Sequence, residues 1–326
     1  MTGRDDSLDA LRGYAFAVAY RMLGSVADAE DVVQEGLLRL HQAEEDGESI
    51  RSRRAYLSTV VTRLAIDELR SARARREQYH GEWLPEPVID PVAGTGAALA
   101  GAGPVAGSAG EPGPEAQTEL ADSLSVAMMV LLESLSPEQR AAFLLHDVFG
   151  YSYGEVAEVV GKSEPATRQL ATRARKAVEA RRPRFEPSVE QHDELADRFF
   201  AAVFEGDVEQ LESMLASDVE LHGDGGGKVP ALSRPITGAK VVAGAISKWG
   251  IIGASANGQF ERVGVNGQPG AVLRDRHGRV INAIALDMKD GRVIALYSVA
   301  NPDKISHLGE VGHLGEMIRE GLDLKD

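Results

Sequence analysis

The side chains of this chain that could do chemistry are concentrated in two basic clusters. Residues 51–76 contain eight arginines against two acids, Asp67 and Glu68. Residues 161–184 contain eight lysines and arginines, again against two acids. Guanidinium groups bind phosphates through charge and through paired hydrogen bonds. The clusters therefore predict contact with a nucleic acid at two places, although the formal net charge of the chain is -15.

Catalytic groups are not paired by any spacing that the sequence shows. The chain contains no cysteine, which excludes a disulfide framework, a thiolate metal site and a thiol nucleophile. The candidates for acid–base chemistry are His222, Asp224, Asp275 and Asp287. No spacing joins an acid to a base among them. We therefore predict no enzymatic activity, no cofactor and no metal.

Apolar residues recur at helical spacing before and within the first basic cluster. Apolar residues at helical spacing predict a helix over 8–23 and a second helix capped by Ser25 or Asp28. A polar loop is predicted over 43–52. A third helix is predicted over about 53–77, with its apolar residues inward and its arginines outward.

The second basic cluster follows a segment of different composition. Residues 90–114 are mostly Gly, Ala and Pro, which predicts a flexible tether. Helices resume near residue 115, and one begins at Pro137, where proline is favoured. Two shorter helices over 153–160 and 164–180 flank a glycine, a pattern that is typical of a helix-turn-helix.

The pattern changes again after Arg184. Helices are predicted over about 188–205 and 208–216. Alternating apolar residues then predict a hairpin of strands over 280–288 and 292–299. Helices followed by a meander of long strands are similar to the SnoaL-like members of the NTF2-like superfamily, which implies an α+β cone.

Two stretches carry a more specific resemblance. Residues 25–42 read SVADAEDVVQEGLLRLHQ, and residues 153–175 read YGEVAEVVGKSEPATRQLATRAR. In this order and spacing they resemble the bacterial sigma factors of the extracytoplasmic-function type, which direct RNA polymerase to promoters. The resemblance covers roughly residues 7–80 and 115–183. It implies a region 2 domain, a linker and a region 4 helix-turn-helix domain.

The resemblance implies a polymerase-binding surface on the second helix. Asp31, Gln34 and Glu35 lie on or near one polar face, which would dock on the β′ clamp helices of core RNA polymerase; the β flap is the second expected contact on core. Carboxylates and an amide suit a wet interface with basic residues. In isolation these residues would fit a solvated helix face better, and the rest of the chain favours the docking surface.

The first basic cluster is implied to read and open the -10 promoter element. The loop at 43–52 would receive an unstacked base, with Tyr56 as the nearest aromatic side chain. Extraction of a base must be offset by stacking and hydrogen bonds. The predicted contacts to DNA are Arg53, Arg54, Arg63, Arg70 and Arg73.

The second basic cluster is implied to bind the -35 element. Ser163 is placed to cap the recognition helix, whose N-terminal part would contact base edges. Residues predicted to face the major groove are Glu164, Thr167, Arg168 and Arg173. Arg175 and Lys176 are predicted to grip mainly phosphates.

Three short motifs indicate a subgroup. They are Trp83-Leu84-Pro85 in WLPEP, Asp224-Gly225-Gly226-Gly227-Lys228, and Asn301-Pro302-Asp303-Lys304. They resemble the signatures of sigma factors with a fused SnoaL-like extension, the SigJ-like group, although Ile305 stands where that pattern has leucine. The resemblance implies that they form one regulatory interface, with Trp83, which is followed by two prolines, as a rigid anchor. Each could also be a local turn or lid.

The sequence thus predicts a cytoplasmic, multidomain sigma factor that is regulated in cis. Its partners are core RNA polymerase and promoter DNA, with no membrane contact, and a small ligand of the C-terminal domain is left open. Two alternatives stand: a ligand-sensing helix-turn-helix regulator, and an NTF2-like isomerase or cyclase with a DNA-binding appendage. The predicted parts are region 2 over 1–80, a flexible linker over 81–114, region 4 over 115–183, and a SnoaL-like regulatory domain over 186–326.

Overall fold

The computed structural model of the 326-residue chain describes residues 7–76, 79–90, 125–179 and 189–323, with the side chains of 72–76, 90, 189–191 and 323 left out. These residues form two compact units. The helical unit combines 7–76 with 125–179. The α+β unit combines 79–90 with 189–323.

The helical unit begins with three helices: α1 (Leu8–Leu23), α2 (Val26–Glu45) and α3 (Arg53–Arg76). Gly24 ends α1 in a left-handed conformation, with φ of 67°. Ser25 caps α2 by accepting a hydrogen bond from the Asp28 amide at 3.1 Å, which decides between the two predicted caps. Because α2 continues to Glu45, the loop before α3 is shorter than the predicted one.

The described residues of this unit contain four further helices: α4 (Val126–Glu133), α5 (Pro137–Phe143), α6 (Tyr153–Val160) and α7 (Glu164–Glu179). A π-helical turn, Leu144–Val148, extends α5. Ser136 and Gln139 form a reciprocal capping box at the start of α5. Gly161, with φ of 66°, makes the turn between α6 and α7. The predicted helix-turn-helix is therefore present.

The two helical groups share one core. Arg140 of α5 is 2% exposed and donates to the carbonyl of Met22 at 2.6 Å and to that of Leu132 at 3.0 Å. The hydroxyl groups of Tyr14 and Tyr151 lie 2.7 Å apart in the same interior. The described parts of the two predicted domains that lie in this unit, 7–76 and 125–179, are thus packed together in this structure.

The α+β unit contains a seven-stranded sheet within its described residues, in the order β1-β4-β5-β6-β7-β2-β3. Only β2 and β7 are parallel neighbours among these strands. The strands are β1 (Ile89–Asp90), β2 (Leu215–Asp224), β3 (Ile236–Thr237), β4 (Gln259–Val265), β5 (Gln268–Arg274), β6 (Val280–Lys289) and β7 (Arg292–Val299).

Helices cover the sheet and close its core. They are α8 (Val189–Glu205), α9 (Val208–Met214), α10 (Ala239–Ser255), α11 (Pro302–Ile305), a 3-10 turn (Ser306–Leu308) and α12 (Leu314–Asp323). Phe199, Val242 and Leu296 lie in one buried cluster that joins α8 and α10 to the sheet. The predicted hairpin is confirmed: β6 pairs with β7, and Asp290 and Gly291 make the turn with positive φ. The α+β fold is therefore the predicted one.

The beginning of the predicted linker differs from a flexible tether. Ile89 pairs with Val265, so β1 adds a strand to the edge of the sheet. Val88 and Asn266 exchange two hydrogen bonds, of 2.8 and 3.0 Å. An open strand edge offers unpaired backbone groups, and residues 88–90 pair with part of this edge. The remainder of the predicted linker, 91–114, lies outside the described residues, as do the first residues of the predicted regulatory domain.

Candidate functional site

The polar face predicted to bind polymerase points away from the core of the helical unit. Asp31 and Gln34 are exposed on α2. Glu35 is half-buried and accepts a hydrogen bond from Arg39 at 2.7 Å. The opposite face of α2 buries Val33 and Leu40. The three predicted residues thus form an accessible acidic surface, with one carboxylate engaged by its own helix.

The arginines predicted to contact the -10 element have several different partners. Arg53 makes two hydrogen bonds to Glu44, of 2.5 and 2.7 Å. The guanidinium of Arg54 lies 4.0 Å from the ring centroid of Tyr14. The Arg73 side chain lies outside the described residues. Tyr56, the aromatic residue predicted near the base pocket, is half-buried.

Two more of these arginines contact the helices of predicted region 4. Arg63 donates to the carbonyls of Glu158 at 2.7 Å and Val159 at 3.2 Å, at the end of α6. Arg70 donates to Glu138 of α5 at 2.7 Å. Both side chains are therefore occupied inside the helical unit.

The recognition helix α7 presents most of its predicted residues to the outside. The Ala166 amide donates to the Ser163 hydroxyl at 3.4 Å, as expected for a cap. Arg173 and Lys176 are exposed. Arg168 pairs with Glu164 at 2.6 Å, and its guanidinium lies over the ring of Tyr153. Its side chain is nevertheless 59% exposed, so it is available to DNA.

The structure corrects the prediction that Thr167 faces the major groove. It is fully buried, and its hydroxyl donates to the carbonyl of Ser163 at 3.1 Å. Thr167, Ala171, Ala174 and Val178 form the inward stripe of α7. A position on this stripe packs on the rest of the helix-turn-helix and cannot also face the groove.

Arg175 is also less free than predicted. Hydrogen bonds to Tyr153 and Asp147 raise the pKa of Arg175 above its ordinary value. Its Nε donates to Asp147 at 2.9 Å. Phosphate binding by Arg175 would compete with this ion pair, whereas Arg173 and Lys176 remain solvent-exposed.

The three short motifs meet at one buried carboxylate in the α+β unit. Asp224, at the end of β2, is 0% exposed and accepts four hydrogen bonds. Two come from the segment before β1: the Tyr79 hydroxyl at 2.6 Å and the Leu84 amide at 2.9 Å. The others come from the Gly226 amide at 3.0 Å and Nζ of Lys304 at 2.7 Å. We call this arrangement the clasp.

Lys304 ties the clasp to the WLPEP segment a second time. Its Nζ donates to the carbonyl of Leu84 and lies 4.1 Å from the ring centroid of Trp83. The Tyr79 ring lies 4.8 Å from the same ammonium group. Burial raises the pKa of Tyr79, with Asp224 adding to the effect, so the phenol stays a donor. Both backbone polar groups of Leu84 are therefore held by one ion pair.

The glycine motif lets the backbone approach the NPDK motif. Gly226 has φ of 59°, and a Cβ there would lie 2.3 Å from Nδ2 of Asn301. That amide group donates to the Tyr79 hydroxyl at 2.8 Å. Gly227 lies against His80 in the same way, and a Cβ on Gly225 would lie 2.5 Å from a backbone carbonyl. Small residues are required here by both conformation and space.

The remaining motif residues lie around the clasp. Lys228 pairs with Asp303 at 2.6 Å, with both side chains more than half exposed. Pro302 occupies the first turn of α11, which Asn301 caps. Pro85 and Leu84 are buried. The structure therefore brings all three motifs together.

A second contact to the same segment involves His222, two residues before Asp224. Its Nδ1 lies 2.7 Å from Oε1 of Glu82, and its ring stacks on Tyr297. Burial lowers the pKa of His222, but the hydrogen bond and charge of Glu82, with Glu220 beside them, raise it overall above its ordinary value. Tyr79 and Glu82 are not among the residues predicted from the sequence; their nearness to WLPEP was the available signal.

The four candidates for acid–base catalysis do not converge. Asp224 is saturated by the clasp, and His222 pairs with Glu82. Asp275 accepts hydrogen bonds from the amides of His277 and Arg279 and from the Arg279 side chain, so it holds a turn. Asp287 lies on β6. Among the described residues there is also no cluster of three or more carboxylates and histidines that could hold a metal.

Within the described ranges, no helix has both the length and the apolar character needed to cross a bilayer.

Two family models match the helical unit. The model described as Sigma-70 region 2 matches residues 8–75, and the model described as Sigma-70, region 4 matches residues 125–178. The second match begins one residue before α4 and ends near the end of α7. Together the two matches cover the surfaces predicted to bind polymerase and both promoter elements.

Relatives in Mycobacterium tuberculosis match over almost the whole chain. The ECF RNA polymerase sigma factor SigJ is 39% identical, over 91% of this chain and 92% of its own length. A probable ECF sigma factor, SigI, is 27% identical over 92% and 93%. The crystal structure of SigJ matches with a TM-score of 0.68, over 91% of this chain and 96% of that chain. The chain therefore belongs to the extracytoplasmic-function sigma factors, which are not enzymes, and it binds core RNA polymerase and directs promoter-specific initiation of transcription.

Proposed function

We propose that this sigma factor is controlled in cis through the clasp. We also propose that the surfaces of its helical unit have the separate binding roles that the sequence predicts. In this proposal Asp31, Gln34 and Glu35 dock on core polymerase. The arginines of α3 bind the -10 element and α7 binds the -35 element. A factor that works with RNA polymerase acts in the cytoplasm.

The observation that carries the proposal is the pair of hydrogen bonds that fixes the backbone of Leu84. Its N–H donates to Asp224, and its carbonyl accepts from Lys304. The segment that follows region 2 is thereby attached to the α+β unit before the chain proceeds to region 4. Promoter binding needs both DNA-binding regions at a set separation, so an attachment near the start of their connection biases that separation.

The contacts inside the helical unit support a further step. Arg63 and Arg70, proposed to bind the -10 element, are engaged by α6 and α5 in the free protein. Their use on DNA requires release of these contacts. A free-energy difference of about 1.4 kcal/mol between the engaged and the released arrangement of these arginines would change their populations tenfold. A buried clasp can contribute a difference of this size.

Transcription by core polymerase with and without this protein tests the control in cis. We expect Trp83→Ala and Lys304→Met to change promoter-specific output while binding to core changes little. Arg276→Met is the matched control, because it removes an exposed ion pair of the same unit that lies outside the three motifs. Unchanged output from both clasp variants would refute the regulatory role. Point substitutions are preferable to truncation, since Leu314 and Met317 beyond the clasp fill the core.

Docking on polymerase is tested by charge reversal. Asp31→Arg combined with Glu35→Arg should weaken binding to core at least tenfold while the fold is kept. Glu209→Arg with Glu212→Arg, two exposed positions of α9, is the control for a general charge effect. Equal core affinity of the folded Asp31/Glu35 variant and the wild type would contradict the assignment.

A further inference from the structure

The interior of the α+β unit contains a cavity of about 230 Å³. Residues of α8, α10 and α12 form part of its wall, and strands of the sheet and the loop at 230–232 form most of the rest. The wall is mainly aromatic and aliphatic, with Phe199, Phe260, Leu273, Ile284 and Met317 among its residues. Trp249 lines the cavity and is 43% exposed, so it marks the side that is near solvent.

Two of the few polar side chains of the wall, Asn282 and Ser298, are hydrogen-bonded to each other. Nδ2 of Asn282 donates to the Ser298 hydroxyl at 2.9 Å. Oδ1 of Asn282 is buried and has no hydrogen-bond partner among the residues that the structure describes. A buried carbonyl oxygen without a donor is unfavourable, and a ligand that supplies the donor would satisfy it.

The size and charge of the cavity restrict its occupant. An apolar cavity of about 150 Å³ accommodates benzene, so this larger space admits a molecule of more than one ring. No Asp, Glu, Lys or Arg lines it, and the titratable side chain in its wall, His222, is already paired with Glu82. A charged ligand is therefore disfavoured, because its charge would be desolvated without a partner. We propose that this cavity binds an uncharged, compact, largely apolar molecule of one to two rings that donates one hydrogen bond to Asn282.

His222 places this cavity next to the clasp. Its ring forms part of the cavity wall, while its Nδ1 lies 2.7 Å from Glu82. An occupant that contacts the imidazole would therefore change the strength of the contact to the WLPEP segment. This second step rests on the proposed control in cis, whereas binding in the cavity does not.

The test uses the full chain and a matched pair of probes, 2-naphthol and 2-methoxynaphthalene, in isothermal titration calorimetry. We expect one molecule of 2-naphthol per chain, bound about three- to tenfold more tightly than the methyl ether, which has no donor. Asn282→Leu should abolish this preference. No saturable binding of 2-naphthol, or equal affinity for the two probes in the wild type, would overturn the proposal.

A blocking variant locates the binding. A Cβ on Gly253 would meet nothing closer than 3.7 Å, so Gly253→Leu should fill the cavity and remove binding of both probes. Val241→Ala, an exposed position of the same helix, should bind as the wild type does. Ile284→Trp serves if Gly253→Leu does not fold. Binding that survives the blocking variant would place the probe elsewhere and refute the site.

A transcription assay separates the two steps. If 2-naphthol occupies the cavity and changes promoter output in the wild type but not in Glu82→Gln, the link to the clasp is supported. If 2-naphthol binds as expected and output does not respond, the link is refuted and the site stands.

Discussion

Lys304 and Asp224 form an ion pair with 2.7 Å between Nζ and Oδ2, and their side chains are 7% and 0% exposed. Desolvation of two charges is expensive, so such a pair needs further hydrogen bonds. Here Tyr79, Leu84 and Gly226 supply them to the carboxylate. The pair therefore stabilises the attachment of residues 79–90 only as long as both members are present.

Removal of one partner of this pair should be strongly destabilising. Lys304→Met leaves the Asp224 charge buried, and we expect a loss of about 3–5 kcal/mol in the free energy of unfolding. Both tryptophans, Trp83 and Trp249, lie in the α+β unit. Urea unfolding followed by tryptophan fluorescence therefore reports on this unit.

Two comparisons make this first prediction specific. Lys228→Met breaks an exposed pair and should cost at most about 1 kcal/mol. Adding Asp224→Asn to Lys304→Met should restore part of the lost stability, because the unpaired charge disappears. Equal effects of the two lysine substitutions would contradict the prediction.

The His222–Glu82 contact should make stability depend on pH. Burial lowers the pKa of His222, but Glu82 and then Glu220 raise it overall. A raised pKa in the folded state adds stability that is fully present below the unfolded value of about 6.5 and is lost as pH rises through the folded value. Glu82→Gln should therefore cost more stability at pH 5.5 than at pH 9.

The measurement is the difference in unfolding free energy between the wild type and Glu82→Gln at the two pH values. The ring of Tyr297 also packs on His222, and it keeps its proton over this range because burial raises its pKa. Glu209→Gln, at an exposed position of the same unit, should give a pH-independent difference. A pH-independent difference for Glu82→Gln as well would show that the titration of His222 does not contribute to stability through Glu82.

Local patterns made much of the fold predictable. Caps and glycines marked the helix ends. Ser25, Ser136 and Gly161 end or begin helices through hydrogen bonds to residues a few positions away, so the local sequence was enough to predict them. The α+β unit followed from alternating strands and the turn at Asp290. The family resemblance then favoured a sigma factor over a core-independent regulator or an NTF2-like enzyme, and the family matches agree.

Long-range contacts were not predictable in the same way. The position of Arg140 in the sequence does not show that it binds Met22, 118 residues away. The burial of Thr167 depends on which face of α7 packs inward. The inward face consists of small residues between basic ones, so its pattern was hard to recognise in the sequence. The motifs around Asp224 were recognisable, but Tyr79 and Glu82 became part of the site only through the folded geometry.

The glycine motif supplies another prediction. Gly226→Ala introduces a Cβ at positive φ and 2.3 Å from the Asn301 amide, so Asn301 must move away from Tyr79. Gly278→Ala is the control, with φ of 79° and nothing within 4 Å of its Cβ. The control should lose about 1–2 kcal/mol from conformation alone, and Gly226→Ala should lose more in the same urea experiment. Equal losses would show that the close approach is unimportant.

The last prediction concerns the recognition helix. Arg168 is exposed near the start of α7, where a side chain can reach base edges, whereas Lys176 lies two turns later, near the exposed Arg173. In holoenzyme binding to promoters with altered -35 elements, Arg168→Ala should remove about 1–3 kcal/mol of discrimination. Lys176→Ala should weaken binding to all variants alike and lower the salt dependence by about one charge. Thr167→Val, at the buried position, should leave discrimination unchanged. If Thr167→Val alters discrimination and Arg168→Ala does not, α7 presents a different face to DNA than the one exposed in this structure.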